Sequence, residues 1–93
     1  MLKSNEYFDG NVKSIAFATT ECPATVGVMA AGEYEFGTST IEYMTVISGE
    51  MTVLLPNETE WKTYRPFDTF IVAKDSKFKL KIPGDAAYLC RYK

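Results

Sequence analysis

The 93-residue chain contains no histidine. Histidine is the commonest metal ligand and the side chain that ordinarily changes charge near neutral pH, so any chemistry here must rely on other groups. Cationic residues are also few: the chain has ten Lys and Arg residues and twelve Asp and Glu residues, which gives a net charge of −2. Because binding a nucleic-acid backbone requires clustered cations, we expect no nucleic-acid polymer as a partner.

Cysteines and long apolar runs are scarce as well. Two cysteines, Cys22 and Cys90, are too few for the disulfide framework of a small secreted domain, and the first residues do not resemble a signal segment. No apolar run approaches the roughly 20 residues that cross a bilayer. These absences predict a cytoplasmic protein with free thiols and no membrane association, and the length predicts one domain over residues 1–93.

The pattern along the chain predicts an all-β fold without helices. Turn signals such as Asp9-Gly10, Ser48-Gly49 and Pro83-Gly84 separate segments rich in Val, Ile, Thr, Phe and Tyr. Closure into a small jelly-roll barrel would remove exposed edges, so this is the predicted architecture. The predicted strands are Val12 to Ala18, Thr25 to Ala30, Gly32 to Phe36, Glu42 to Ser48, Met51 to Leu55, Phe67 to Val72, Lys77 to Ile82 and Ala87 to Tyr92.

Two segments carry further expectations. In Lys77 to Ile82, lysines alternate with apolar residues, which is typical of a half-buried strand whose lysines face water and discourage edge-to-edge pairing. Near the N-terminus, Leu2, Tyr7 and Phe8 are unusually apolar for a free end. We therefore expect a homodimer in which the N-terminal segment packs on, or crosses to, the partner.

Candidate functional residues are polar groups within apolar strands. Strand alternation puts Glu42 and Ser48 on one face and Tyr43 and Thr45 on the other. Arg91, within an otherwise apolar strand, needs an anion or an outlet to water. The residues alone leave three alternatives open: an ion pair with Glu42, a side chain that reaches solvent at the strand end, and a phosphate or carboxylate ligand.

The same residues carry a resemblance to the cupins. Glu42, with Gly32 before it and Gly49 after it, resembles the first cupin motif, but Thr38 and Thr40 stand where that motif has its two histidines. The resemblance is much closer to one family of very small cupins, the bacterial pyrimidine/purine nucleoside phosphorylases. The segments that carry it span the whole chain: 4–8, 12–15, 26–29, 32–34, 44–49, 53–56 and 88–92.

This resemblance implies a cytoplasmic enzyme that transfers a pentosyl group from diverse purine and pyrimidine nucleosides to inorganic phosphate, with no metal or other cofactor. The products would be the free base and ribose or deoxyribose 1-phosphate. Arg91 would bind phosphate through its paired donors, and Glu42 would accept hydrogen bonds from the ribose hydroxyls. Whether Lys13 or Arg65 completes the phosphate site stays open.

The remaining predicted substrate contacts are neutral. Ser48 and Thr45 would donate or accept hydrogen bonds, although alternation allows at most one of them into the same pocket. Aromatic stacking on the base is predicted for Tyr43 or Tyr88, with Phe36 beside them. Two alternatives compete with phosphorolysis: a metal-free cupin that binds a sugar or nucleotide fragment without turnover, and a metal-dependent cupin dioxygenase or isomerase, which the missing histidines disfavour.

Overall fold

The computed structural model describes residues 2–93, which form β-strands and no helix. This confirms the all-β class, and the bounds predicted for the second, fifth and ninth strands are those observed. Two short polar strands, the first and the seventh, were not predicted. The strands are β1 (Lys3–Tyr7), β2 (Val12–Ala18), β3 (Pro23–Met29), β4 (Gly32–Gly37), β5 (Glu42–Ser48), β6 (Met51–Leu54), β7 (Lys62–Tyr64), β8 (Thr69–Val72), β9 (Lys77–Ile82) and β10 (Ala86–Tyr92).

The strands form two antiparallel sheets with an apolar core between them. One sheet has six strands in the order β1-β2-β3-β10-β5-β8, and the other has four in the order β4-β9-β6-β7. Met29, Val46 and Leu80 are almost completely buried in the core. Full burial of one such side chain stabilises the fold by about 1.5–3 kcal/mol. The expected closure into one hydrogen-bonded barrel is not found in residues 2–93, where the two sheets remain separate, as in a jelly-roll sandwich.

The lysine-rich strand β9 is half-buried as predicted but lies in the interior of its sheet. Its lysines are exposed while Phe78, Leu80 and Ile82 are buried. Because β9 pairs with β4 on one side and β6 on the other, its lysines cannot protect a sheet edge, and that interpretation was wrong. Lys79 and Lys81 instead lie opposite Glu35 and Glu33 of β4, an arrangement of opposite charges that stabilises adjacent strands.

The N-terminal hairpin reaches across to the smaller sheet of the same chain. Strand β1 pairs with β2, and Phe8 and Asp9 in the turn adopt positive φ angles of 53° and 57°. The Phe8 ring lies 5.0 Å from Tyr34 and 5.3 Å from Phe36, centroid to centroid, and Tyr7 meets Phe36 edge-on at 6.2 Å. The N-terminal aromatic residues, which we expected to pack on a second copy, thus cover one end of the space between the chain's own two sheets.

Candidate active site

A cavity of about 240 Å³ opens between the two sheets beneath the N-terminal hairpin. Small-molecule sites usually measure about 300–1,000 Å³, so this cavity suits a small ligand that stays partly open to solvent. Seven strands contribute to its wall. The lining residues are Tyr7, Ser14, Met29, Phe36, Gly37, Glu42, Met44, Phe78, Tyr88, Cys90 and Tyr92.

Aromatic rings form one part of the wall. Phe36 stacks on Phe78 at 6.0 Å, and Tyr7 closes the same region from the hairpin. Of the predicted stacking residues, Phe36 and Tyr88 line the cavity, whereas Tyr43 does not. An aromatic surface of this kind accepts any flat heterocycle, because every base has a π-face.

Glu42 is the one carboxylic acid on the cavity wall formed by residues 2–93. It begins β5, opposite Tyr92 of β10 and Val72 of β8, and it is partly buried. The Cys90 thiol donates a hydrogen bond to Glu42 Oε1 over 3.5 Å. Burial raises the pKa of Glu42 above its ordinary value of 4.5, and the thiol hydrogen bond opposes the rise in part.

Cys90 and Tyr92 complete the polar part of the wall. Burial raises the pKa of both groups, and the nearby Glu42 adds to the rise. Both groups are therefore neutral at physiological pH and act as hydrogen-bond donors rather than as nucleophiles. The Tyr92 hydroxyl lies 2.9 Å from the Thr25 hydroxyl, which holds its ring in place.

Tyr88 lies flat across β3 because the residue opposite it has no side chain. The strand register pairs Tyr88 with Gly27, and a Cβ at position 27 would lie 2.5 Å from Tyr88 Oη. The phenol therefore extends over Gly27 towards Ser14, the next residue across the sheet. Burial raises the pKa of Tyr88 to about 12, against a smaller opposing effect of the Ser14 hydroxyl, so the phenol stays protonated.

Arg91 does not enter the cavity, and the predicted direction of its side chain was wrong. Alternation along β10 sends Tyr88 and Cys90 inwards and Arg91 to the outer face of the six-stranded sheet, opposite Tyr43. Its guanidinium carbon lies 5.4 Å from the Tyr43 ring centroid. The buried Arg91 Nε has no hydrogen-bond partner in residues 2–93, and no ion pair with Glu42 forms, because the two side chains leave opposite faces.

The other predicted contacts on β5 also lie outside the cavity. Tyr43 and Thr45 face outwards with Arg91, and the Thr45 hydroxyl lies 2.8 Å from that of Thr69. Ser48 was expected on the side of Glu42, but a β-bulge intervenes, because Ala87 pairs with Ser48 whereas Tyr88 pairs with Val46. Ile47 is the extra residue, so alternation reverses there and Ser48 is exposed.

The two remaining cationic candidates are surface residues in ion pairs. Lys13 Nζ lies 3.6 Å from Glu6 Oε1, and Arg65 Nε lies 3.0 Å from Glu50 Oε2, all with largely exposed side chains. Neither reaches the cavity, and no lysine or arginine among residues 2–93 lines it. An anion in the cavity would therefore be held by neutral hydroxyl donors.

Sequence reasoning missed Tyr7, Ser14, Cys90 and Tyr92 as cavity residues. Ser14 had a recognisable signal, because it shares the inward face of β2 with the buried Val12 and is itself a buried hydroxyl. Tyr7 had none, because only the folded hairpin carries it to the cavity. Within residues 2–93, no group of three or more Cys, Asp or Glu side chains is arranged to hold a metal ion.

Residues 2–92 match the family model described as pyrimidine/purine nucleoside phosphorylase. A protein of that name from Pseudomonas putida strain W619 is 62% identical over 93 residues, covering 100% of this chain and 99% of its own.

Two solved structures extend the comparison. A protein of unknown function from Vibrio parahaemolyticus superimposes with a TM-score of 0.96 at 42% identity, covering 100% of this chain and 99% of the other. A cupin from Shewanella frigidimarina matches with a TM-score of 0.77 at 17% identity, covering 98% and 82%. The latter likeness shows the cupin fold alone.

Proposed function

Because the chain belongs to the pyrimidine/purine nucleoside phosphorylase family, we propose that it phosphorolyses both purine and pyrimidine nucleosides to free base and ribose or deoxyribose 1-phosphate. The observation that carries the proposal is the cavity between the sheets. Its aromatic part suits a base of either class, and its polar part, around Glu42, suits the sugar. Stacking tolerates any base, whereas hydrogen bonds to the base edges would select among them, so the wall favours broad specificity.

The reaction needs positioning more than it needs a nucleophile from the protein. Phosphate attacks the anomeric carbon while the glycosidic bond breaks, and the developing cation is stabilised by the phosphate itself. The protein must hold both substrates in line and limit access of water, which would hydrolyse the nucleoside. The hairpin with Tyr7 and Phe8, packed on Phe36, covers the cavity and serves the second requirement.

In the cavity, the sugar and the phosphate would bind to hydroxyl and carboxyl side chains. We assign Glu42 to the ribose, the role that was expected for it from the sequence, and Phe36 to the base; the phenol of Tyr88 is assigned to phosphate. Because no lysine or arginine of residues 2–93 lines the wall, phosphate is assigned to the hydroxyl groups of Tyr7, Ser14 and Tyr88 rather than to Arg91. Tyr88 can donate throughout the physiological range, because its pKa is raised to about 12.

Metal independence is part of the proposal. It is supported by the donor set, since the chain has no histidine and residues 2–93 contain no metal-ligating cluster of three or more. A cytoplasmic location is also proposed, and the free thiols Cys22 and Cys90 support it. No helix in residues 2–93 has the length and apolar character to span a membrane.

A homodimer is proposed as well, and the outer face of the six-stranded sheet supports it. Ile15, Val26, Val28 and Ile71 on this face are each between 41% and 52% exposed, which is an unusual concentration of apolar surface. The unpartnered Nε of Arg91 lies on the same face. A second copy packed against this face would cover the apolar residues.

The decisive experiment is incubation of the purified protein with uridine or adenosine, with and without phosphate, followed by chromatography of the bases. We expect free base and pentose 1-phosphate to appear only with phosphate, and to persist after treatment with a chelator. A Tyr88→Ala variant prepared in parallel controls for host phosphorylases. Binding without base release would identify a non-catalytic cupin, and activity lost to the chelator would identify a metal-dependent one.

A further inference from the structure

Phosphorolysis also requires a proton donor for the leaving base, a role not yet assigned to any residue of the cavity. When the glycosidic bond breaks, the base departs with the bonding electron pair, and it leaves readily only if it receives a proton. The usual donor, histidine, is absent from the chain. Of the ionisable groups on the wall, the thiol of Cys90 and the phenols of Tyr88 and Tyr92 are held neutral by strongly raised pKa values and are poor acids.

Glu42 is placed differently from these groups. Its Oε1 accepts the hydrogen bond from Cys90, and Oε2 accepts none from residues 2–93. The groups that interact with it are the Cys90 thiol and the Tyr88 and Tyr92 phenols of β10, and the apolar Val72 of β8 lies opposite it. Among residues 2–93, no lysine or arginine lies on the cavity wall to favour its ionised form.

Purine and pyrimidine nucleosides present one acceptor in common. Purine N3 and pyrimidine O2 both lie beside the glycosidic bond, on the sugar side of the base, and both accept hydrogen bonds. A single acid placed next to the ribose could therefore serve every base. A donor placed on the far edge of the base would serve only one class.

We propose that Glu42 in its protonated form is the general acid of the proposed phosphorolysis, donating its proton to purine N3 or pyrimidine O2 as the base departs. The inference rests on the proposed function and extends it from binding to a catalytic role. The raised pKa of Glu42 supports it, because burial in this cavity favours the protonated carboxyl. A neutral Glu42 also does not repel the phosphate that must enter the same cavity.

The proton and electron balance closes over one turnover. The bond between C1′ and the base nitrogen breaks, and its electron pair goes to the base, which takes the proton from Glu42. A phosphate oxygen forms the new bond to C1′. The product first carries the proton of monohydrogen phosphate and passes it to the Glu42 carboxylate, which leaves the pentose 1-phosphate as a dianion and restores the acid.

The test compares substrates that need a proton with one that does not. In 7-methylguanosine the base already carries a positive charge, so it can leave without protonation. We expect Glu42→Gln to lower kcat for uridine and adenosine by about 10²- to 10⁴-fold, the usual contribution of a general acid. With 7-methylguanosine, at a pH where its base is cationic, the loss should be less than about tenfold. Thermal unfolding of the variant verifies that it folds.

The outcomes separate this inference from the proposed function. Equal losses on all three nucleosides would mean that Glu42 only binds ribose, and the acid role would be refuted. The wild-type protein gives a second measurement that needs no variant: over the pH range in which 7-methylguanosine remains cationic, kcat for adenosine should fall as pH rises while kcat for 7-methylguanosine does not fall in parallel. A wild-type protein inactive on every nucleoside would instead overturn phosphorolysis itself.

Discussion

The contact between Gly27 and Tyr88 gives the sharpest prediction about the cavity wall. A Cβ at position 27 would lie 2.5 Å from Tyr88 Oη, 2.6 Å from Cζ and 2.8 Å from Cε1. Non-bonded heavy atoms pack best at about 3.5–4.0 Å, so Gly27→Ala requires the ring to move by about 1 Å. Tyr88 is only 6% exposed, and the space open to it is the cavity.

The expected cost follows from this displacement. Overpacking of a buried site usually destabilises by about 1–3 kcal/mol. In a domain of this size, each 1 kcal/mol lowers Tm by about 4–8 °C. Because the displaced ring enters the cavity, the KM for nucleosides should also rise. Urea unfolding and steady-state kinetics measure the two effects.

Two controls make this prediction refutable. Gly84→Ala should change neither quantity, because no atom of the described residues 2–93 lies within 4 Å of a Cβ at that position. In a Tyr88→Val background, Gly27→Ala should cost almost nothing, since the ring it strikes is gone, and a double-mutant cycle measures the difference. If Gly27→Ala were as stable as the wild type, or cost the same in both backgrounds, the proposed role of Gly27 would be refuted.

Two further predictions concern the charged groups. Arg91→Ala should leave the KM for phosphate within about twofold of the wild type, because Arg91 faces away from the cavity. Sedimentation of the same variant should detect weaker self-association. A large rise in the phosphate KM would restore Arg91 as the phosphate ligand. The raised pKa of Glu42 means that the folded state binds its proton more tightly than the unfolded state. The proton on Glu42 therefore contributes fully to stability below pH 4.5, and this contribution is lost as pH rises through the pKa of the folded state. Glu42→Gln should abolish this pH dependence of the free energy of unfolding, measured by denaturant titration at several pH values. An identical pH profile for both proteins would contradict the raised pKa of Glu42.

The sequence predicted most of the strands because their alternation is strong. The lysine-apolar alternation of β9 and the run of β5 gave correct bounds. Strands β1 and β7 were not predicted, because their residues are mostly polar and their structure depends on pairing with β2 and β6. The order of strands within the sheets needed contacts between residues far apart in the sequence, which no local pattern contains.

The site was predicted less well, for reasons visible in β10. Alternation separates Tyr88, Cys90 and Tyr92 from Leu89 and Arg91, but it does not identify the inward set. Apolar residues lie on both faces of the larger sheet, so an apolar environment for Arg91 did not imply the interior. The cavity also depends on Tyr7, which the hairpin brings from the other end of the chain.

The bulge at Ile47 holds a residue that the pairing of β5 with β10 does not need. Ile47 is 39% exposed, so many side chains would be accepted there. Removing it would place Ser48 directly after Val46, where regular alternation keeps Ser48 on the outer face and opposite Ala87. The turn beyond it is less tolerant, because Gly49 has a φ of +80° and a Cβ there would come within 2.8 Å of the Asp85 carbonyl oxygen. Deletion of Ile47 should therefore be found among viable variants more often than deletion of Gly49.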